Sequence, residues 1–299
     1  FETQLDVTRR QYLGIGSAVG GGLLAGCTGS TTEPTNASAD AGEDGASAET
    51  DNSYTVSISP MGEVTFESPP ETVFTRLTHH AGMAFALGRG DSITAMHAPD
   101  YYDGLWNQFV ARLPGVSLDW TGLYSSWEPS KEKLYELDSD IHLADPAWIT
   151  KQDSWDETDI VEIGTAVSPW FGNSLSDRHA EPAAAYAEDY EYYTLWEQFG
   201  LVAEAFQEQE RYDALAAIHD NLLSTIEADL PPESERPSAV MLASADIEEI
   251  YAYTLSTPGF LTAHTQPLGA RDAFEGEVES NSVVDFETLL EADPDVILL

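Results

Sequence analysis

The residues of this chain best suited to chemistry are two adjacent imidazoles, His79 and His80. They follow a strand-like run, Thr72-Val73-Phe74-Thr75-Arg76-Leu77, and in α/β sequence ligands meet the loops at the carboxyl ends of strands. Reading other inferred strand ends in the same way adds Tyr101, Tyr102, Trp148, Trp170 and Phe171 from the first half. Tyr251, Tyr253 and Phe260 join them from the second. A set of imidazoles and aromatic rings stacks on a large organic ligand or meets a metal complex. Adjacent histidines on an extended loop point in opposite directions, so one metal ion rarely takes both. The cations near this set are Arg76 and Arg178, which suits a near-neutral ligand better than a highly anionic one. Tyr190, Tyr193 and Trp196 read as helix packing, and His97, His179, His219 and His264 form no constellation. No Gly-x-Ser-x-Gly elbow, phosphate loop or His-Glu-x-x-His pair occurs, so the set reads as a binding site and not as a catalytic one.

Charge narrows the setting. The chain has 299 residues, 53 of them acidic and 12 basic, for a formal charge of −41. That excess repels itself in dilute buffer, whereas at molar salt the Debye length is about 3 Å and exposed carboxylates are screened. The acids are spread along the whole sequence, which indicates adaptation to high salt and not a polycation-binding patch. Nucleic acid is excluded as a partner because no basic surface could neutralise phosphates.

The single cysteine, Cys27, precludes an intramolecular disulfide. Arg9 and Arg10, in Thr-Arg-Arg-Gln-Tyr-Leu, read as a twin-arginine export signal. An apolar, Gly-rich stretch follows and ends in Leu24-Ala25-Gly26-Cys27, which has the order of a lipobox and makes Cys27 the expected lipidation site. Residues 28–53 are an acidic Thr/Ser/Gly/Ala tether without aromatic residues, unable to bury a core. An exported protein, anchored to the outer face of the membrane by lipid, is the expectation.

The elements that must position the candidate site follow. Short strands and helices alternate over residues 54–180, predicting an α/β lobe with a mostly parallel sheet. From Leu195 to Leu230 apolar residues step by three and four, predicting one long helix or two in near succession; residues 181–232 are taken as the connector. Residues 236–299 return to α/β sequence. Glu132 to Leu143 aligns without gaps on Glu287 to Leu298, with six of twelve positions identical. The predicted fold is therefore two similar α/β lobes joined by a long connector helix, with a ligand cleft between them.

That arrangement resembles the helical-backbone class of periplasmic binding proteins, which serve ABC importers of iron-siderophores, cobalamin and haem. The resemblance rests on the repeated Glu–helix–Asp–strand unit and on the segment Ala84 to Gly90 after Pro69-Pro70. It covers residues 54–299 and implies that the family's C-terminal helices are missing from a truncated second lobe. It further implies a non-enzymatic monomer that captures a metal chelate without a cofactor of its own. The favoured ligand is a hydroxamate-type ferric siderophore, delivered to an ABC permease and its ATPase; cobalamin, haem and a non-transport receptor role are the alternatives. By position, Glu132 and Glu287 become the carboxylates that dock on the permease. Ser139 stands where the family usually has proline, and His142 interrupts an apolar strand.

The charge generates the first prediction. A cooperative thermal melt at molar salt is expected to disappear in dilute buffer; a melt that survives dialysis into dilute buffer overturns the high-salt reading.

Overall fold

A computed structural model describes residues 53–244, 249–256 and 259–299. Arg9, Arg10, Cys27 and the tether before Ser53 lie outside the described residues. Among the described residues no helix is long and apolar enough to cross a membrane.

In chain order the elements are a hairpin, β1 (Tyr54–Ile58) and β2 (Gly62–Phe66), followed by β3 (Val73–Thr75), α1 (Thr78–Ala86), β4 (Ile93–Met96) and α2 (Pro99–Val110). Then come β5 (Tyr124–Ser125), α3 (Lys131–Leu137), β6 (Ile141–Leu143), α4 (Pro146–Ile149) and α5 (Glu157–Ala166). Two helices follow, α6 (Leu195–Phe206) and α7 (Gln209–Asp229). The second lobe holds β7 (Ser238–Ser244), β8 (Ile250–Tyr253), β9 (Arg271–Asp272), β10 (Ser282–Val284), α8 (Phe286–Ala292) and β11 (Val296–Leu298).

Lobe one is built on a parallel sheet of order β5-β4-β3-β6. β3 is buried on both faces, as a central parallel strand should be. Side-chain alternation splits its neighbours into two layers. Val73, Ile141 and Leu143 face α1, α6 and the β1–β2 hairpin through Ala81, Met83, Val202, Phe206, Val56 and Phe66. Phe74 and Ala95 face α3, α4 and α5 through Leu134, Ile149, Ile160 and Ile163. His142 sits in this second layer, between Phe74 and Trp170, with Nδ1 at 3.1 Å from the Ser168 carbonyl. The interruption of the apolar strand is thus a buried, locally bonded imidazole.

The helical pattern from Leu195 resolves into two helices, broken at Gln207, whose φ of 54° ends α6 in the left-handed region. Residues 181–194 run as turns and extended backbone, not as helix. α7 packs on α6 and reaches the turn at Gln266–Leu268 in lobe two, bridging the lobes over roughly 30 Å at 1.5 Å per residue.

Lobe two departs from the expected parallel sheet. Its order is β10-β8-β7-β11, with β9 beside β7; β11 and β9 pair parallel with β7, whereas β8 pairs antiparallel with both β7 and β10. The physical reason is the short connection between β7 and β8, which can close a hairpin but not a crossover.

The sequence repeat is also a repeat of interactions. Ser130 caps α3 at the Lys133 amide, and Asp285 caps α8 at the Thr288 amide. Asp138 and Asp293 both end their helices at positive φ, 45° and 40°. Asp140 then accepts from the Glu71 and Thr72 amides and the Thr72 hydroxyl, at the start of β3. Asp295 accepts in the same way from the Ser238 amide and hydroxyl at the start of β7. Each carboxylate stitches the returning strand to the parallel neighbour it must join. Removing one leaves several donors to water and loosens that register. Asp140→Ala is expected to lower the melting temperature by roughly 2–4 °C, read by circular dichroism at molar salt; an unchanged midpoint would show that the stitch is dispensable.

Candidate functional site

The strand order makes the site. From β3 the chain moves outward through β4 to β5, then returns to place β6 on the other side of β3. The chain after β3 and β6 therefore enters opposite layers, α1 in one and α4 in the other, the kind of switch point at which open α/β sheets take ligands. Arg76 is the first residue beyond β3, and Asp145 and Trp148 follow β6.

Arg76 is 2 % exposed. Its guanidinium carbon lies 3.0 Å from the Trp148 ring centroid and 4.4 Å from that of Trp127, and Nε donates to the Trp127 carbonyl at 3.2 Å. Cation–π contact with both rings offsets part of the desolvation. Burial still lowers its pKa to about 9, against the raising effect of Asp145 and Glu128, so it stays charged at neutral pH. Nη2 is buried and has no hydrogen-bond partner. The loop that carries Trp127 is fixed through Ser126, whose hydroxyl donates to the Thr75 carbonyl at 2.6 Å and whose amide donates to Met96 at 3.0 Å.

Trp148 is placed by Asp145, the N-cap of α4. The buried carboxylate accepts from the amides of Ala147, Ser174 and Leu175 and from the Ser174 and Tyr190 hydroxyls. Burial raises the Asp145 pKa and these donors oppose it. Because every partner is a donor, the arrangement suits the ionised form, a negative charge set behind Arg76.

His79 and His80 differ from expectation. The helix begins at Thr78, so they lie in the first turn of α1 and not on an extended loop. Consecutive helical residues diverge by about 100°, and their ring centroids are 4.0 Å apart. His79 also meets Phe260 of lobe two at 4.8 Å, so it stands where the lobes touch. Burial, then His80, His179 and Arg76, push the His79 pKa well below the ordinary imidazole value. His80 is fully buried and lowered to about 3, chiefly by burial and further by Arg76, although Gln198 and the Leu143 carbonyl pull the other way. His79 Nε2 and both ring nitrogens of His80 lack a hydrogen bond of normal geometry.

The remaining expected residues separate into groups. Tyr101 and Tyr102 open α2; Tyr102 lies 5.8 Å from His97, which lies 4.7 Å from Trp127, so a continuous run of rings leads to Arg76. Tyr101 is 66 % exposed at the outer end of that run. Trp170 is not part of it: the ring is fully buried in the second layer and Nε1 donates to the Ile160 carbonyl. Tyr253 lies across the lobe contact from the Asp177–His179 pair, and Tyr251 occupies the same strand two residues earlier. Beside that contact a cavity of about 360 Å³ holds Arg178, Tyr192 and Phe260 among its walls. Glu132 and Glu287 are exposed in the first turns of α3 and α8. Sequence reading missed His97 and Trp127, which follow β4 and the two-residue β5. Among the described residues no group of three or more His, Cys, Asp or Glu side chains could hold a metal ion.

The profile of the periplasmic binding protein family matches residues 80–299. Among solved structures, the iron-uptake ABC transporter substrate-binding protein PiuA of Streptococcus pneumoniae is 19 % identical, with a TM-score of 0.54 over 81 % of this chain and 75 % of that one. The petrobactin-binding protein YclQ of Bacillus subtilis is 13 % identical at a TM-score of 0.54, covering 82 % and 76 %. The periplasmic heme-binding protein HutB of Vibrio cholerae is 11 % identical at 0.51, covering 76 % and 75 %. No curated protein matches the sequence. At these identities the likeness is one of fold.

The buried imidazoles generate a pH prediction. Burial favours their neutral form, with His80 lowered to about 3 and His142 to about 4. As pH falls through about 6.5 the unfolded chain takes up these protons first. Their stabilising contribution is therefore complete above that pH and drains away toward 4 and 3. The melting temperature at molar salt is expected to fall between pH 6.5 and 4, with a shallower slope in His142→Gln; identical slopes would remove His142 from the account.

Proposed function

The chain belongs to the periplasmic binding protein family, and from that premise we propose that it captures a ferric siderophore, of hydroxamate type, for an ABC importer. Membership places it outside the cytoplasm among substrate-binding proteins. The observation that carries the ligand reading is Arg76: a charged guanidinium at the switch point, packed against two indoles, with Nη2 unpartnered. An oxygen acceptor on the ligand satisfies that donor, and the ring run from Tyr102 through His97 to Trp127 offers stacking surface to an organic shell. Asp145 and Glu128 already oppose the Arg76 charge. One cation against two carboxylates leaves no positive excess for a highly anionic ligand, which favours a near-neutral ferric hydroxamate over a tris-catecholate.

Haem is the second reading, favoured by one observation: His79 Nε2 is buried, neutral and unpartnered at the lobe contact, as an axial ligand to iron must be. Twin-arginine export through Arg9 and Arg10, lipidation of Cys27 and adaptation to high salt complete the proposal, supported by the sequence order and by the charge of −41. Glu132 and Glu287 occupy equivalent, exposed first-turn positions in the two repeats. Two fixed carboxylates on separate lobes would orient the protein on a permease through arginine contacts.

Titrating the protein at molar salt with ferric hydroxamates, ferric catecholates, cobalamin and haem, and following tryptophan emission, tests the reading. Saturable quenching by a ferric hydroxamate is expected, and Arg76→Ala is expected to weaken it by about 30-fold or more, as loss of a desolvated charge contact does. Arg76→Lys should not restore it, because an ammonium has neither the planar stacking surface nor the forked donors of a guanidinium. Undiminished affinity in Arg76→Ala would overturn the assignment.

A further inference from the structure

The charge at the switch point is roofed. Arg76 is 2 % exposed although it stands just beyond the end of β3, so a ligand that is to reach Nη2 must first move something. Two rings cover the guanidinium, and they are not held alike. Trp148 lies inside α4, between its N-cap Asp145 and Thr150, whose hydroxyl donates to the Pro146 carbonyl at 2.9 Å. Trp127 lies on the loop between β5 and α3 and is 43 % exposed. Its ring is in contact with His97 at 4.7 Å and Trp148 at 5.7 Å.

The loop backbone is pinned on either side of that ring. Ser126 is bonded to the ends of β3 and β4, and the Pro129 carbonyl accepts from Trp155 Nε1 at 3.0 Å. Between these pins Trp127 and Glu128 are exposed. A ring that keeps much of its surface in water loses little burial energy on rotating away, and with the backbone fixed the motion is confined to the side chain. Displacement would also uncover His97, whose Nδ1 is buried without a partner.

We propose that Trp127 is a displaceable lid on Arg76, and that the ligand group which replaces it is planar and bears oxygen acceptors. Such a group takes the place beside the guanidinium that Trp127 vacates and accepts from Nη2 edge-on, in the guanidinium plane, the geometry that a delocalised hydroxamate, catecholate or carboxylate provides. The assignment rests on the cleft being the ligand site, but the lid itself is a property of the free protein. Trp127 is a positioning and selecting residue: it keeps the cation dry until a flat group takes its place.

The test separates the lid from the ligand. Phenylglyoxal, an arginine-selective dicarbonyl, is applied to the free protein at molar salt, and modification of Arg76 is followed by peptide mass spectrometry. Trp127→Leu is expected to label about tenfold faster than the native chain, the size of effect that opening a protected site produces, with Trp127→Phe in between. Equal labelling rates in all three proteins overturn the lid. Where Trp127→Leu melts early, the comparison rests on Trp127→Phe, whose ring keeps the packing. Stopped-flow mixing with a ferric tris-hydroxamate adds a second readout: faster association and faster release in Trp127→Leu support the lid, and unchanged association overturns it. Silence of the native protein toward every chelate, with labelling still governed by Trp127, would sink the siderophore reading and leave the lid standing.

Discussion

Burying the Arg76 guanidinium is the constraint around which lobe one is arranged. An unpaired cation in a dry site is costly enough that a protein normally moves it or neutralises it. Here it is retained at the end of the central strand, with its pKa brought down to about 9, by three separate contributions. Two indoles pack against it, the Trp127 carbonyl takes Nε, and the Asp145 charge favours its ionised form. The partners arrive on the loops after β5 and β6 and the cation on the loop after β3, so the sheet order is what lets them converge. Asp145 serves twice, since the hydrogen bonds that hold it also start the helix carrying Trp148.

The surrounding acidity gives that burial a purpose. In the high-salt setting proposed for this chain, an arginine exposed on the surface would be screened within about 3 Å. A guanidinium buried against rings keeps its field because counterions cannot approach it. The neighbouring imidazoles are held neutral by burial, so the cleft does not accumulate positive charge as its size grows. Selectivity then comes from shape and stacking around one fixed charge, in contrast to the many carboxylates outside.

Much of this architecture was legible in the sequence because it rests on local signals. The repeat from Glu132 and from Glu287 was visible as identities, and the structure explains which identities matter: Asp138 and Asp293 turn the chain, while Asp140 and Asp295 tie it to β3 and β7. The aromatic character of the cleft was legible too, through Tyr102 and Trp148. What escaped was set by tertiary context. β5 is two residues long and gives no periodic signal, so the ring that follows it, Trp127, could not be placed. Trp170 has the composition of a ligand contact, yet a bridge between its backbone and His142 draws it into the core. The reversed strand of lobe two, β8, likewise depends on a hairpin that hydropathy alone does not distinguish from a crossover. His79 and His80 were misread as an extended pair because the start of α1 carries no capping side chain.

The way the lobes meet decides how such a site can open. Gly259, at φ 127°, brings the backbone of lobe two against lobe one so closely that a Cβ there would lie 2.8 Å from the Asp177 carbonyl carbon and oxygen. That conformation and that contact both require glycine. Next to it, Phe260 rests on His79. Backbone already touching backbone leaves little travel for closing, and α6 and α7 supply a helical bridge in place of a flexible hinge. With the lobes held in this way, the freedom needed to admit a ligand has to come from side chains at the rim. The large ring that is at once exposed and in contact with the buried charge is Trp127. A stiff frame and a soft lid are therefore complementary: the frame fixes where the cation stands, and the lid sets when it can be reached.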